Sequence, residues 1–168
     1  MIRSFATFNI NDERYGLDIL FIREINQHLD FTPVPHAPEY IRGLVNLRGQ
    51  IVTVIDLKNC LGQGTLELTP LVHNMIIKTD AEMNELHIRE ELPPEDQSIS
   101  IPEKIGFLVD SIGDVVSIED DEIGPSPSNT GGIDSKYLSG VIKLENELIT
   151  LIHLPSILNL CFALTEST

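Results

Sequence analysis

The residues best suited to specific chemistry lie in one short run, Asn46-Leu47-Arg48-Gly49. A guanidinium is a planar fork that holds a carboxylate through two hydrogen bonds and is enriched where proteins meet. At a hairpin tip it either sits in solvent or makes a protein contact, and the spacing supports both readings. Other chemistry finds no matching pattern. The five histidines, His28, His36, His73, His87 and His153, form no HExxH and no ligand spacing with a cysteine, so no metal site is expected. Walker A, GxGxxG and GxSxG runs are absent, and Gly62-Gln63-Gly64 reads as a plain turn, so no cofactor is expected. Adjacent acids such as Glu90-Glu91 and Asp120-Asp121 read as solvated faces, because a catalytic acid needs burial to raise its pKa. The expectation is a binding protein with no catalytic residues.

Charge narrows the partners. The chain of 168 residues carries a formal net charge of −15, and it is uneven. Residues 1–60 hold six basic and seven acidic side chains, the remainder five and nineteen. Such a surface repels nucleic acid and anionic lipid, which need clustered Lys and Arg. The apolar stretch from Leu148 to Leu164 is broken by His153, Pro155 and Asn159, so it reads as a strand running into a terminal helix and not as a membrane span. Cys60 and Cys161 stand far apart with no CxxC, and Met1-Ile2-Arg3-Ser4 does not open a signal peptide. A reducing cytoplasm is the expected compartment.

An internal repeat must position these residues. Residues 40–61 align without gaps on residues 137–158, with Tyr40/Tyr137, Gly43/Gly140, Leu47/Leu144, Thr53/Thr150, Ile55/Ile152, Leu57/Leu154 and Leu61/Leu158 identical. A weaker match pairs Gly16/Gly106, Ile22/Ile112, Glu24/Asp114 and Ile25/Val115. The order A–B, A′–B′ implies two copies of one β-rich unit. Each B unit reads as strand, polar turn, strand, with Gly49 and Asn146 as residues that tolerate positive φ. Strands Ile51–Leu57 and Leu148–Leu154 are nearly continuous in apolar residues, so both faces are expected to be largely buried. Ile2–Ile10 and Asn74–Lys78 read as further strands. Ile19, Ile22 and Ile25, three apart, suggest a helical turn. Residues 81–104 hold seven acids and two bases around Pro93-Pro94 and read as a loop or partly disordered insertion. Residues 124–132 read as a second irregular connection. The expected fold is mainly β: two small closed or half-closed barrels packed together, with short helices. The first lobe is expected over residues 1–69, the second over 70–160, and a tail over 161–168.

These residues together resemble the CheW family of chemotaxis coupling proteins. The marks run in order over roughly Phe5 to Leu160: Tyr15-Gly16-Leu17-Asp18-Ile19 with Arg23-Glu24-Ile25, then Ile41 to Val52 with Val54-Ile55-Asp56-Leu57. Gly106 to Asp110, Asp114-Val115-Val116, Ile123 to Pro127, Tyr137 to Gly140 and Leu148 to Ile152 follow. The resemblance implies two five-stranded, SH3-like barrel lobes and a non-catalytic adaptor, monomeric when free. That adaptor joins the cytoplasmic tips of chemoreceptors to the regulatory domain of the histidine kinase CheA, in arrays beneath the membrane. It implies a Glu24–Arg48 pair beside the kinase-binding surface, and the tip residues Asn46, Leu47 and Gly49 are counted with it as the expected protein contact. It places receptor contacts at Ile22, Ile25 and Val115, and makes Gly43 a position where bulk disturbs partner binding. The insertion at 81–104 departs from the family pattern. The alternatives are a coupler of a non-flagellar pathway controlling pili or second messengers, a fragment equivalent to the CheA regulatory domain, or a ligand-binding barrel or enzyme.

Overall fold

The computed structural model describes residues 1–126 and 132–166. Ten strands follow one another as β1 (Ile2–Ile10), β2 (Glu13–Asp18), β3 (Ile22–Asn26), β4 (Ile41–Leu47), β5 (Gln50–Asp56), β6 (His73–Ile77), β7 (Ile105–Val109), β8 (Ser111–Glu119), β9 (Leu138–Lys143) and β10 (Leu148–Ile152). Three helices, α1 (Leu57–Cys60), α2 (Asp80–Glu85) and α3 (Leu154–Glu166), fill the connections. The strands form two five-stranded sheets, ordered β8-β1-β2-β10-β9 and β3-β6-β7-β5-β4.

The repeat is present in both sheets, but the copies are interlaced. The first copy, β1 to β5, gives β1 and β2 to one sheet and β3, β4 and β5 to the other; the second copy does the reverse. The two hairpins match: β4–β5 and β9–β10 are both antiparallel, and β5 and β10 each lie parallel to a strand of the other copy, β7 and β2. A cut between residues 69 and 70 therefore does not follow the sheets. The physical reason is strand exchange: β3 leaves its own copy to pair with β6, as β8 leaves its copy to pair with β1. The polypeptide leaving β3 bridges β4 through Thr32 and Leu44, and that leaving β8 bridges β9 through Gly124 and Val141. Each sheet thus curls toward its opposite edge.

The equivalent glycines have a common cause in that curl. A Cβ on Gly43 would lie 2.5 Å from the Thr32 carbonyl oxygen, and one on Gly140 would lie 2.9 Å from that of Gly124. Gly43 also holds φ at +155°. Both positions admit only glycine without pushing the bridging segment away.

The core is shared between lobes. One buried cluster joins Phe8, Ile10, Tyr15 and Leu17 of one sheet to Ile55, Met75, Ile77 and Phe107 of the other, with Leu154, Ile157 and Leu158 of α3 packed among them. Smaller clusters fill each lobe, one around Val52, Val54 and Leu108, the other around Phe5, Ile142 and Ile149.

Four expectations need correction. Only Ile19–Phe21 turn helically, capped by Asp18, while Ile22 and Ile25 belong to strand β3. A bulge between Ile22 and Glu24 adds one residue, so side chains three apart both pack on the core, mimicking helical spacing. Residues 81–104 are not a loose insertion. Met83, Ile88, Leu92, Ile99 and Ile101 are all buried, and all but Ile88 join the shared core. Asp80 closes the segment by accepting from Arg89 (2.6 Å) and the Ile101 N–H (2.8 Å). No tail begins at residue 161, because α3 continues to Glu166; 167–168 and most of the expected 124–132 connection lie outside the described residues. Finally, Leu57 and Leu154 begin α1 and α3 and do not end strands; β5 and β10 are otherwise largely buried as expected, with Ile51 and Leu148 exposed at their starts.

Candidate docking surface

The β4–β5 hairpin turns at Leu47-Arg48-Gly49-Gln50. Arg48 and Gly49 both hold positive φ, +52° and +84°, the sense that matches strand twist in a two-residue hairpin. In the second hairpin Asn146 is not among the described residues with positive φ, so that expectation holds only for Gly49. Asn46 braces the tip by accepting the Gly49 N–H at 2.9 Å. Burial alternates along β4: Gly43, Val45 and Leu47 face inward, while Leu44, Asn46 and Arg48 face out. Leu47 is thus part of the core of its lobe and not of the surface. Pairing sets Asn46 opposite Ile51 and Leu44 opposite Thr53.

Glu24 reaches this tip from β3. It pairs with Arg48 and accepts from Asn26 Nδ2 at 3.3 Å. The Arg48 side chain is 63% exposed and that of Glu24 25%. Desolvation pushes the Glu24 carboxyl up. The hydrogen bonds from Asn26 and Arg48, with the charges of Arg48 and Arg23, outweigh it and hold the group below its ordinary range. The neighbouring Arg23 pairs with Glu82 of α2, so the 81–104 segment braces the same strand.

Beneath this surface lies a pair that spacing did not single out. Asp56 is fully buried, accepts from Arg42 at 3.1 Å and from the Leu66 N–H at 2.9 Å, and caps α1 through the Asn59 N–H. Arg42 also donates to the Leu66 carbonyl at 2.8 Å. Its partner charge is thereby matched and hydrogen-bonded, as a buried carboxylate requires. The second copy has Ser139 and His153 at these positions, so the anchor belongs to one lobe alone.

The residues expected to touch a receptor come from both sheets. Ile22 and Ile25 are half-buried against the shared core on β3, whereas Val115, on β8 of the other sheet, is 60% exposed. Sequence reasoning missed Leu44 and Ile51 (58% exposed), which supply apolar surface beside Arg48. The available signal was the alternation along β4 and the position of Ile51 immediately after the turn.

The CheW-like domain profile matches residues 4–161. The chain belongs to the CheW-like family. Its relatives include the chemotaxis protein CheW of Rhizobium meliloti, 28% identical with 92% of this chain and 86% of that protein covered. The chemotaxis protein CheW of Treponema pallidum is 30% identical over 82% and 71%. The scaffolding protein TtCheW of Thermoanaerobacter tengcongensis superposes with a TM-score of 0.73 at 29% identity, covering 94% of this chain and 88% of that one. A CheW-like fold accounts for the two interlaced sheets described above. Among the described residues no three His, Cys, Asp or Glu side chains gather as a metal-ligand set, and no helix is long and apolar enough to cross a membrane.

Proposed function

We propose that this chain is a non-catalytic adaptor that couples chemoreceptors to the histidine kinase CheA in bacterial chemosensory signalling. The observation that carries the reading is the outer face of the β4–β5 hairpin. There Leu44 of β4 and Ile51 of β5 stand exposed on the hairpin whose tip carries the Glu24–Arg48 pair. Apolar side chains next to an oriented guanidinium suit a protein partner.

In this reading the CheA regulatory domain meets the tip formed by Asn46, Arg48 and Gly49, with Leu44 and Ile51 as apolar anchors. Gly43 lets the strand lie close against Thr32, so bulk there disturbs binding through the backbone. The receptor tip meets Val115 on the opposite lobe, with Ile22 and Ile25 contributing by their exposed edges. Two lobes with different surfaces let one chain hold two partners at once, on the cytoplasmic side of membrane-associated arrays.

Calorimetric titration of the chain with the CheA regulatory domain tests the reading. The expected result is saturable binding that Ile51→Glu abolishes while the thermal midpoint is kept. Absence of binding, or binding indifferent to Ile51→Glu, overturns this assignment of the surface.

A further inference from the structure

Cys60 closes α1 and Cys161 lies in α3, the helices that follow the two equivalent hairpins. They stand about 100 residues apart in sequence, yet both belong to the core cluster shared by the lobes. Their exposures are 6% and 4%. The two side chains are neighbours: the proximity of Cys161, then burial, then the charges of Cys161 and Asp56 push the Cys60 thiol up. Tyr40 marks the same spot from a third element. Burial first, and then both cysteines, push its phenol up to about 12, and its hydroxyl donates to the Leu160 carbonyl at 3.4 Å, one residue from Cys161. Neither cysteine has a part in the docking surface.

We propose that Cys60 and Cys161 form an oxidisable dithiol whose disulfide staples α1 to α3 across the two lobes. With a peroxide as oxidant, one thiolate attacks the O–O bond to give a sulfenic acid and releases one water after proton transfer. The second thiolate then displaces the sulfenic oxygen as a second water. Two S–H bonds are replaced by one S–S bond, and the peroxide accepts the two electrons. At rest the Cys60 thiol, its pKa pushed up, is neutral and both side chains are buried, so the reaction waits on local opening around α3 and is slow in the intact fold. The product closes a loop that contains β6 to β10, which restricts the unfolded chain far more than the native one.

Treating the purified chain with hydrogen peroxide, followed by intact mass, thiol titration and peptide mapping under non-reducing conditions, tests this. The monomer is expected to lose two hydrogens of mass and both titratable thiols together, and to yield a single Cys60–Cys161 linked peptide. Its thermal midpoint rises by on the order of 10 °C and falls back on reduction. Cys60→Ala and Cys161→Ala each abolish the mass loss. Added oxygen on a single cysteine without a linked peptide overturns the proposal, as do thiols that stay free when mild urea opens the protein. A crosslinked chain with a lowered midpoint overturns the staple.

Discussion

Replacing Arg48 with alanine separates folding from binding at the candidate surface. The pair it makes with Glu24 is lopsided in exposure, 63% against 25%, so solvent screens much of the attraction. An exposed pair of this kind contributes about 0–1 kcal/mol to stability. For a chain of this length each kilocalorie moves the thermal midpoint by roughly 2–4 °C, so Arg48→Ala should lower it by no more than about 4 °C. Neither the inward face of β4 nor the Asn46 bond to the turn depends on the guanidinium, so the hairpin stays in place. Binding is a different matter. A partner that covers the tip desolvates Glu24, and an unpaired carboxylate in a buried contact costs about 2–5 kcal/mol. A loss of at least tenfold in affinity, roughly 1.4 kcal/mol, is the expected floor. Thermal melting and calorimetric titration with the CheA regulatory domain decide it. Unchanged affinity makes Arg48 a solvated turn residue, and a collapsed melt makes it a structural one; either refutes the reasoning.

Further outcomes follow from other contacts. The held-down Glu24 carboxyl stabilises the pair above its ordinary pKa, and that contribution is lost as pH falls through its depressed value. Kinase affinity measured by titration across the acid range should therefore decline, and the decline should vanish in Glu24→Gln. Asp56→Ala strands Arg42 and uncaps α1, so chemical denaturation should register a loss of about 3–5 kcal/mol. Met83→Ala should cost about 2–5 kcal/mol in the same assay, because the side chain is fully buried; a neutral result would restore the view of 81–104 as a dispensable loop. Gly43→Ala should destabilise by about 1–3 kcal/mol and loosen the Thr32 bridge, seen as faster amide exchange at Leu44, whose N–H donates to Thr32.

Much of the fold is legible in the chain before any coordinates, because the repeat is written in identical residues at fixed spacing. Tyr40/Tyr137 and Gly43/Gly140 recur since both copies build the same hairpin against the same kind of bridge. The interlacing is not legible. Ile22 and Ile112 state that a strand belongs to a sheet, but not which copy supplies its neighbour; that is decided by β6 and β1 in three dimensions. The segment at 81–104 misleads because its seven acids dominate its composition, while the five apolar side chains that hold it are irregularly spaced around short helical turns. Ile22 and Ile25 mislead because a bulged strand and a helix both place residues three apart on one face. At the site, alternation along β4 predicts which residues face out. The Glu24–Arg48 pair joins two strands through their partners, and local spacing carries no trace of it. Arg42 and Asp56 stayed hidden for the same reason, since a buried ion pair in one lobe has no counterpart in the other copy.

The most direct test of the coupling role is kinase output. CheA autophosphorylation is measured in vesicles carrying a chemoreceptor, with the chain added in increasing amounts. The account predicts that kinase activity comes under receptor control only when the chain is present, and that Arg48→Ala and Val115→Glu each abolish this from opposite lobes. Kinase activity that is indifferent to the chain, while both partners are folded and competent, would contradict it.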